Sequence, residues 1–250
     1  MSPDRRSSRG TGTGVALVTG GSGALGAAVC RELDAMGYRV AIHYAGNEDG
    51  AIAVQKDCVN DSVVVRADVA SWDEVKAMEE LVRERLGPVS VLVNSAAVRL
   101  DGLMATQPVA EWQRTIEVNL LGTFHTCRAC VPQMLLQRWG RVVNVVSPIG
   151  TTGNAGQTAY SASKAGVVGL TKSLALECGR RGVTVNALSP GFMESAMVAS
   201  LPETTRAELI GRAAIRRVID PSEVAAAVRF LVESPAVTGT ILSVDGGMSS

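Results

Sequence analysis

The residues best suited to chemistry lie in "SPIGTTGNAGQTAYSASKAGVVGL", residues 147–170. Tyr160 and Lys164 stand four apart in a helical pattern, which places both side chains on one face. An ammonium beside a phenol favours phenolate and lowers its pKa from about 10, so that it can exchange a proton nearer neutral pH. A general acid for carbonyl reduction needs that property. Ser147, thirteen residues before the tyrosine at the end of a strand-like run, could hold the same carbonyl oxygen by a hydrogen bond. Singly, each residue also fits as a core tyrosine, a solvated helix lysine or a strand terminator. Together they point to proton transfer at a carbonyl.

A second cluster is "VTGGSGALGAA", where the run from Val15 to Val18 breaks into glycines at 20, 21, 23 and 26. Glycines directly after a strand let the chain turn tightly, bring peptide N–H groups close to an anion and pack the next helix near the sheet. A pyrophosphate at that helix start is therefore expected, and a dinucleotide with it. At the exit of the second strand, "AIHYAGNE" puts Tyr44 and Ala45 where an acidic residue would bind an adenosine ribose. The repulsion that excludes a 2′-phosphate is missing, which permits NADP, although no Arg or Lys stands there and Glu48 and Asp49 lie close in sequence. Asp68, after the third strand, could accept from an adenine amino group or cap the helix beginning near Ser71.

These pieces need a scaffold. Val- and Ile-rich strands read at 14–19, 38–43, 62–66, 89–94, 141–146, 183–188 and 240–244. Helical patterns read near 24–36, 48–58, 72–86, 108–137, 157–180, 203–212 and 221–233. Continuous apolar strands such as "VSVLVN" suit a sheet covered on both faces. Alternation with short links predicts an α/β fold: a single Rossmann-type, doubly wound sheet of about seven parallel strands with helices on both faces. Residues 14–250 read as one domain, and the polar residues 1–13 as a disordered tail.

Composition narrows the function classes. The 24 basic and 24 acidic residues cancel, so no overall field steers the chain to nucleic acid or an anionic membrane. The start of the chain lacks the apolar stretch of a secretory signal, and no window approaches a membrane span, so a cytoplasmic protein is expected. Cys127 and Cys130 form a CxxC inside a helical pattern, without a second CxxC or a nearby His, and read as buried thiols. His43 and His125 are too far apart in sequence to suggest a site, so no metal is expected.

With "VTGGSGALG", "HYAGNE", "ADV", "VLVNSAA", "EVNLLGTF", "VVSPIG", "YSASK", "TVNALSPGFMES" and "VDGGM" in view, the chain resembles the short-chain dehydrogenase/reductase superfamily. From about residue 14 to its end it is similar to the 3-oxoacyl-[acyl-carrier-protein] reductases of fatty-acid and polyketide synthesis. The resemblance implies that Tyr160 protonates the carbonyl oxygen while a nicotinamide gives hydride to the carbon. It also implies that Lys164 binds the nicotinamide ribose, Ser147 orients substrate and Asn119 holds a water in a relay with the lysine. Cofactor contacts would come from Gly20, Ser22, Gly23, Leu25 and Gly26 in the loop, with Tyr44, Asp68, Val69, Asn94, Ser95 and Ala96 at the next strand exits. Pro190, Gly191 and Ser195 would flank the nicotinamide. NADPH is the expected cofactor, with NADH as the alternative.

The resemblance further implies docking of an acidic acyl carrier protein at Arg138 and Arg181, a mobile lid over 192–209, and a homotetramer joined through the two long helices. The expected reaction is reduction of a 3-oxoacyl thioester to the 3-hydroxyacyl thioester. The alternatives are an oxidoreductase of a free alcohol, ketone or aromatic polyketide, and a nucleotide-sensing protein without catalysis. Departures from the family pattern are Ser95 and Ala97 in "NSAA", Pro148 after Ser147, and Gly23 where many NADP-dependent members carry a basic residue. The even spacing of Gly20, Gly23 and Gly26 is similar to ketoreductase domains of modular polyketide synthases and tilts the expectation toward a discrete polyketide ketoreductase.

Overall fold

The computed structural model describes residues 14–194, 203–211 and 213–249. The expected tail over 1–13 and Ser195 lie outside the described residues. Among these residues seven strands form one sheet: β1 (Val15–Thr19), β2 (Arg39–Tyr44), β3 (Ser62–Arg66), β4 (Val89–Asn94), β5 (Gly140–Val145), β6 (Val183–Pro190) and β7 (Ile241–Val244). Their order is β3-β2-β1-β4-β5-β6-β7, and every pairing is parallel. The doubly wound sheet expected from the alternation of patterns is present.

Its central strands are largely apolar and buried because both faces of the sheet are covered. Ala16, Val18, Val40 and Ile42 pack with Val29 and Leu33 of α1 (Ala24–Ala35), Val54 of α2 (Glu48–Asp57) and Val224 and Val228 of the last helix. Their neighbours Val15, Leu17 and Ala41 point the other way, to Val75 and Met78 of α3 (Trp72–Arg85) and to the two long helices. Period-two alternation thus sorts one continuous apolar strand into two cores.

The predicted helix over 108–137 is interrupted in its winding. It runs as α4 (Val109–Ile116), a π-helical turn (Glu117–Leu121) and α5 (Gly122–Gln137). The apolar pattern is continuous through the turn, so periodicity alone does not reveal it. A short α6 (Ile149–Thr152) begins at Pro148, and α7 (Thr158–Cys178) follows, ending in a 3-10 turn (Gly179–Arg181). The chain closes with α8 (Glu203–Gly211) and α9 (Pro221–Glu233) before β7.

Helix starts differ in a way that bears on function. Asn47, Ser71 and Asp220 cap α2, α3 and α9 by accepting backbone N–H bonds, and Asp220 with Glu223 completes a capping box. Helix α1 starts at Gly23 with no side-chain cap, leaving its first-turn N–H groups directed at the strand exits. Cys127 and Cys130 are buried free thiols on α5, and burial pushes the Cys127 thiol up to about 12. Among the described residues no helix is long and apolar enough to cross a membrane.

Candidate active site

The carboxyl ends of β1 to β6 open onto one cavity of about 570 Å³. In this sheet order the connections turn outward in opposite directions from β1 and β4, and the cavity sits over that divide, where open α/β sheets bind ligands.

Its floor on one side is the glycine loop. Gly20 adopts φ +67°, and a Cβ there would meet the Ala96 backbone at 2.9 Å. Gly26 passes so close to the loop that a Cβ would stand 2.1 Å from the Gly20 carbonyl oxygen. A Cβ at Gly23 would meet protein no nearer than 3.4 Å, so the space beside it belongs to the cavity. Not all of the loop's N–H groups face that space. Gly20 N donates to His43 Nδ1 at 3.0 Å, Gly21 N to His43 O at 2.7 Å, and Gly23 N to Gly20 O at 3.0 Å. The donors left for an anion are Ser22 N in the loop and those of the uncapped first turn of α1. An open helix start beside a glycine cradle fits a pyrophosphate.

Opposite the loop stands the expected triad. Tyr160 and Lys164 share one face of α7, with the Lys164 ammonium 5.7 Å from the phenol ring centroid. Ser147 follows β5 on the same wall of the cavity as Tyr160, and its oxygen accepts from Ile149 N at 3.3 Å. The electrostatics differ from the expectation that the lysine depresses the phenol. Lys164 Nζ donates to Val145 O at 2.8 Å, and burial alone lowers the ammonium to about 8. Burial holds the Tyr160 phenol above its ordinary pKa, against the opposing pulls of the Ser147 hydroxyl and the Arg99 charge. The phenol therefore stays protonated at neutral pH, as a proton donor must be.

Of the other expected residues, Ser22, Leu25, Asp68, Val69, Ser95, Ala96 and Pro190 line the cavity. Asp68 does not cap α3, since Ser71 does; its carboxylate accepts from Ala70 N at 3.0 Å and pairs with Arg114 at 2.7 Å. Four expected residues stand elsewhere. Tyr44 is buried in the core, and the β2 exit is lined instead by Ala45, Gly46 and Asn47. Asn94 is turned into the sheet, donating to Asn144 Oδ1 at 2.9 Å and accepting from Thr126 Oγ1 at 2.7 Å. Gly191 packs against the chain after β7, where a Cβ would come within 2.6 Å of Asp245 Cα. Asn119, at the centre of the π-turn, accepts from Val98 N at 2.8 Å and donates to Val98 O at 2.9 Å and to Ser163 Oγ at 3.2 Å. Its amide braces the β4 exit against α7 rather than reaching the cavity.

Arg138 and Arg181 lie together but far from the triad. Arg138 ends α5 in a left-handed conformation, with its guanidinium 3.5 Å from Arg180 O. Both residues precede the starts of β5 and β6, whereas Ser147 and Pro190 stand at the other ends of those strands. His43, Arg99, Arg114 and Met193 also line the cavity. Arg99 is paired with Asp101 at 3.2 Å, and Gln157 donates to the same carboxylate at 2.9 Å. The placement of Arg99 and Arg114 depends on contacts across the chain, whereas His43 carries a local signal, a polar residue within the apolar "VAIHY".

A tyrosine, lysine and serine facing a glycine-bounded phosphate cradle define an oxidoreductase of the nicotinamide-dependent class. The family described as short chain dehydrogenase matches residues 14–206, and the chain belongs to that family. It is 40% identical over 238 residues to "3-oxoacyl-[acyl-carrier-protein] reductase FabG" of Staphylococcus aureus (strain Mu50), covering 93% of this chain and 97% of that one. It is 40% identical over 240 residues to "3-oxoacyl-[acyl-carrier-protein] reductase" of Synechocystis sp., covering 94% and 96%. To "Nodulation protein G" of Azospirillum brasilense it is 38% identical over 240 residues, covering 94% and 98%.

Proposed function

We propose that the protein reduces the 3-oxo group of an acyl thioester held on an acyl carrier protein to the 3-hydroxy group, with NADPH as cofactor. What carries this reading is the protonated Tyr160 phenol, set with Ser147 and Lys164 around the cavity that the glycine loop also lines. Reduced nicotinamide bound in the cavity supplies a hydride to the carbonyl carbon. Ser147 Oγ holds the carbonyl oxygen, and Tyr160 Oη gives it a proton as the C–O π bond breaks, leaving an alcohol and a phenolate. The buried Lys164 ammonium stabilises that phenolate. The experiment is to follow NADPH oxidation with acetoacetyl thioesters, carrier-bound and free. Turnover of simple ketones without turnover of either thioester overturns the substrate class.

A second reading, reduction of a free ketone or aromatic polyketide, is favoured by the placement of Arg138 and Arg181. A carrier docked there stands at the strand starts, away from the cavity of its own chain. In that case Arg138→Glu with Arg181→Glu leaves turnover of every substrate unchanged.

Lys164 sets a pH limit. Its lowered pKa of about 8 means that the ammonium persists below that pH and is lost above it. The reductive kcat/KM is expected to fall as pH rises through about 8, and Lys164→Arg to move the fall upward, because a guanidinium keeps its proton. A pH profile of wild type and variant checks both.

The choice of NADPH is supported by the β2 exit, where Ala45, Gly46 and Asn47 present no carboxylate to a 2′-phosphate. Ala45→Asp should lower kcat/KM for NADPH by about tenfold or more by like-charge repulsion and raise it for NADH. Steady-state kinetics with both cofactors measures the switch, and an unchanged ratio counts against NADPH. A homotetramer is part of the proposal. Phe124 and Leu136 on α5 and Leu176 on α7 are exposed around an apolar groove between those helices, and light scattering reads the mass.

A further inference from the structure

His43 lies in mid-sheet among Val40, Ala41 and Ile42 and is 1% exposed. An imidazole in such surroundings is costly unless both nitrogens are bonded. They are: Nδ1 accepts from Gly20 N at 3.0 Å and Nε2 donates to Ala67 O at 2.9 Å. A peptide N–H can only donate and a carbonyl can only accept, so the ring is neutral with its proton on Nε2. The backbone of the same residue accepts from Gly21 N at 2.7 Å, so both consecutive N–H groups of the turn end on His43.

The tie reaches further than one hydrogen bond. Gly20 O receives Gly23 N, and Gly26 packs directly on that carbonyl, so the orientation of the Gly20 peptide sets where α1 begins. At the other end of the ring, Ala67 leads into Asp68 and Val69, which line the same cavity. We propose that His43 is a positioning residue whose neutral ring joins the glycine loop to the β3 exit and holds both in the shape that takes the cofactor, a grip that the protonated ring cannot keep. This rests on the nicotinamide-dinucleotide reading of the cavity.

The imidazolium would turn an Nδ1–H toward the Gly20 N–H, donor against donor. Burial holds the His43 pKa below its usual value of about 6.5. The Ala67 carbonyl and the Asp68 carboxylate pull the other way, and Arg114 is paired with that carboxylate. Because the folded pKa is depressed, the unfolded chain takes up this proton first. The contribution of the neutral ring is present above about pH 6.5 and is lost as pH falls through the folded value.

The test measures NADP⁺ affinity by calorimetry at pH 7.5 and 5.5, with circular dichroism as a check on the fold. His43→Leu removes the acceptor, whereas His43→Asn keeps an oxygen near the position of Nδ1 and cannot titrate. At pH 7.5 His43→Leu is expected to bind at least about tenfold more weakly, and His43→Asn within about threefold of wild type. From pH 7.5 to 5.5 wild type is expected to lose affinity at least about threefold more than His43→Asn; titration of the 2′-phosphate is common to both. A folded His43→Leu that binds like wild type overturns the proposal, as does an identical pH trend in wild type and His43→Asn. If His43→Leu does not fold, the comparison with His43→Asn decides alone. Wild type binding neither NADP⁺ nor NAD⁺ overturns the cofactor reading itself, a result distinct from either.

Discussion

Replacing Tyr160 with Phe should lower kcat for ketone reduction by about 10²- to 10⁴-fold while leaving NADP⁺ affinity within a few-fold of wild type. That range is the usual contribution of a single general acid or base. Burial keeps this phenol protonated, so it arrives at the reaction as the donor, and the Ser147 hydroxyl cannot take over while it holds the carbonyl oxygen. The ring stays in Phe, so packing on α7 is preserved and the loss should appear in kcat rather than in Tm. Single-turnover absorbance at 340 nm with acetoacetyl thioester, beside calorimetry for the dinucleotide, separates the two. Undiminished turnover in the variant would remove the tyrosine from the mechanism.

Gly26→Ala carries the second large effect. Its Cβ would stand 2.1 Å from Gly20 O and 2.9 Å from Gly21 Cα, both backbone atoms without a rotamer to escape into. The loop or the helix must move, and overpacking of this kind costs typically about 1–3 kcal/mol. For a domain of this size that is a fall in Tm of roughly 2–12 °C. Because the displaced peptide is the one tied to His43, dinucleotide affinity should fall at least about tenfold as well. Gly23→Ala is the internal control: its nearest protein atom lies at 3.4 Å, an ordinary contact, so Tm should hold even if the methyl intrudes on the ligand. Equal Tm losses at the two positions would show that the glycines serve only backbone freedom.

The strands could be read from the chain because each holds a short Val-, Ile- or Leu-rich stretch, and in the central strands both faces of that stretch are buried. The Tyr160–Lys164 pair was legible for a similar local reason, four residues on one helix. Residues that depend on distant partners were not. Asp68 meets Arg114 across 46 positions and Asn94 meets Asn144 across 50, so neither destination has a local signature. At the exit of β2 the sequence offered Tyr44 and Ala45 together, and one residue in a strand is the whole difference between inside and outside: Tyr44 is buried in the core, and Ala45 faces the cavity. The electrostatics of the triad also lay beyond spacing, since the shift of the phenol is governed by how far it is buried.

The π-turn at Glu117–Leu121 has a consequence best put in terms of rotational phase. An α-helix advances about 100° per residue, so the extra residue in a π-turn leaves the segments before and after it out of step by roughly that angle. Before the turn, Arg114 faces the cavity; after it, Cys127, Val131 and Met134 face the sheet. Neither requirement is visible in composition, because both are met by counting residues. A chain shortened by Glu117 alone would keep every apolar side chain, yet could satisfy the sheet or the cavity but not both. The length of this stretch is as much a part of the site as any side chain in it.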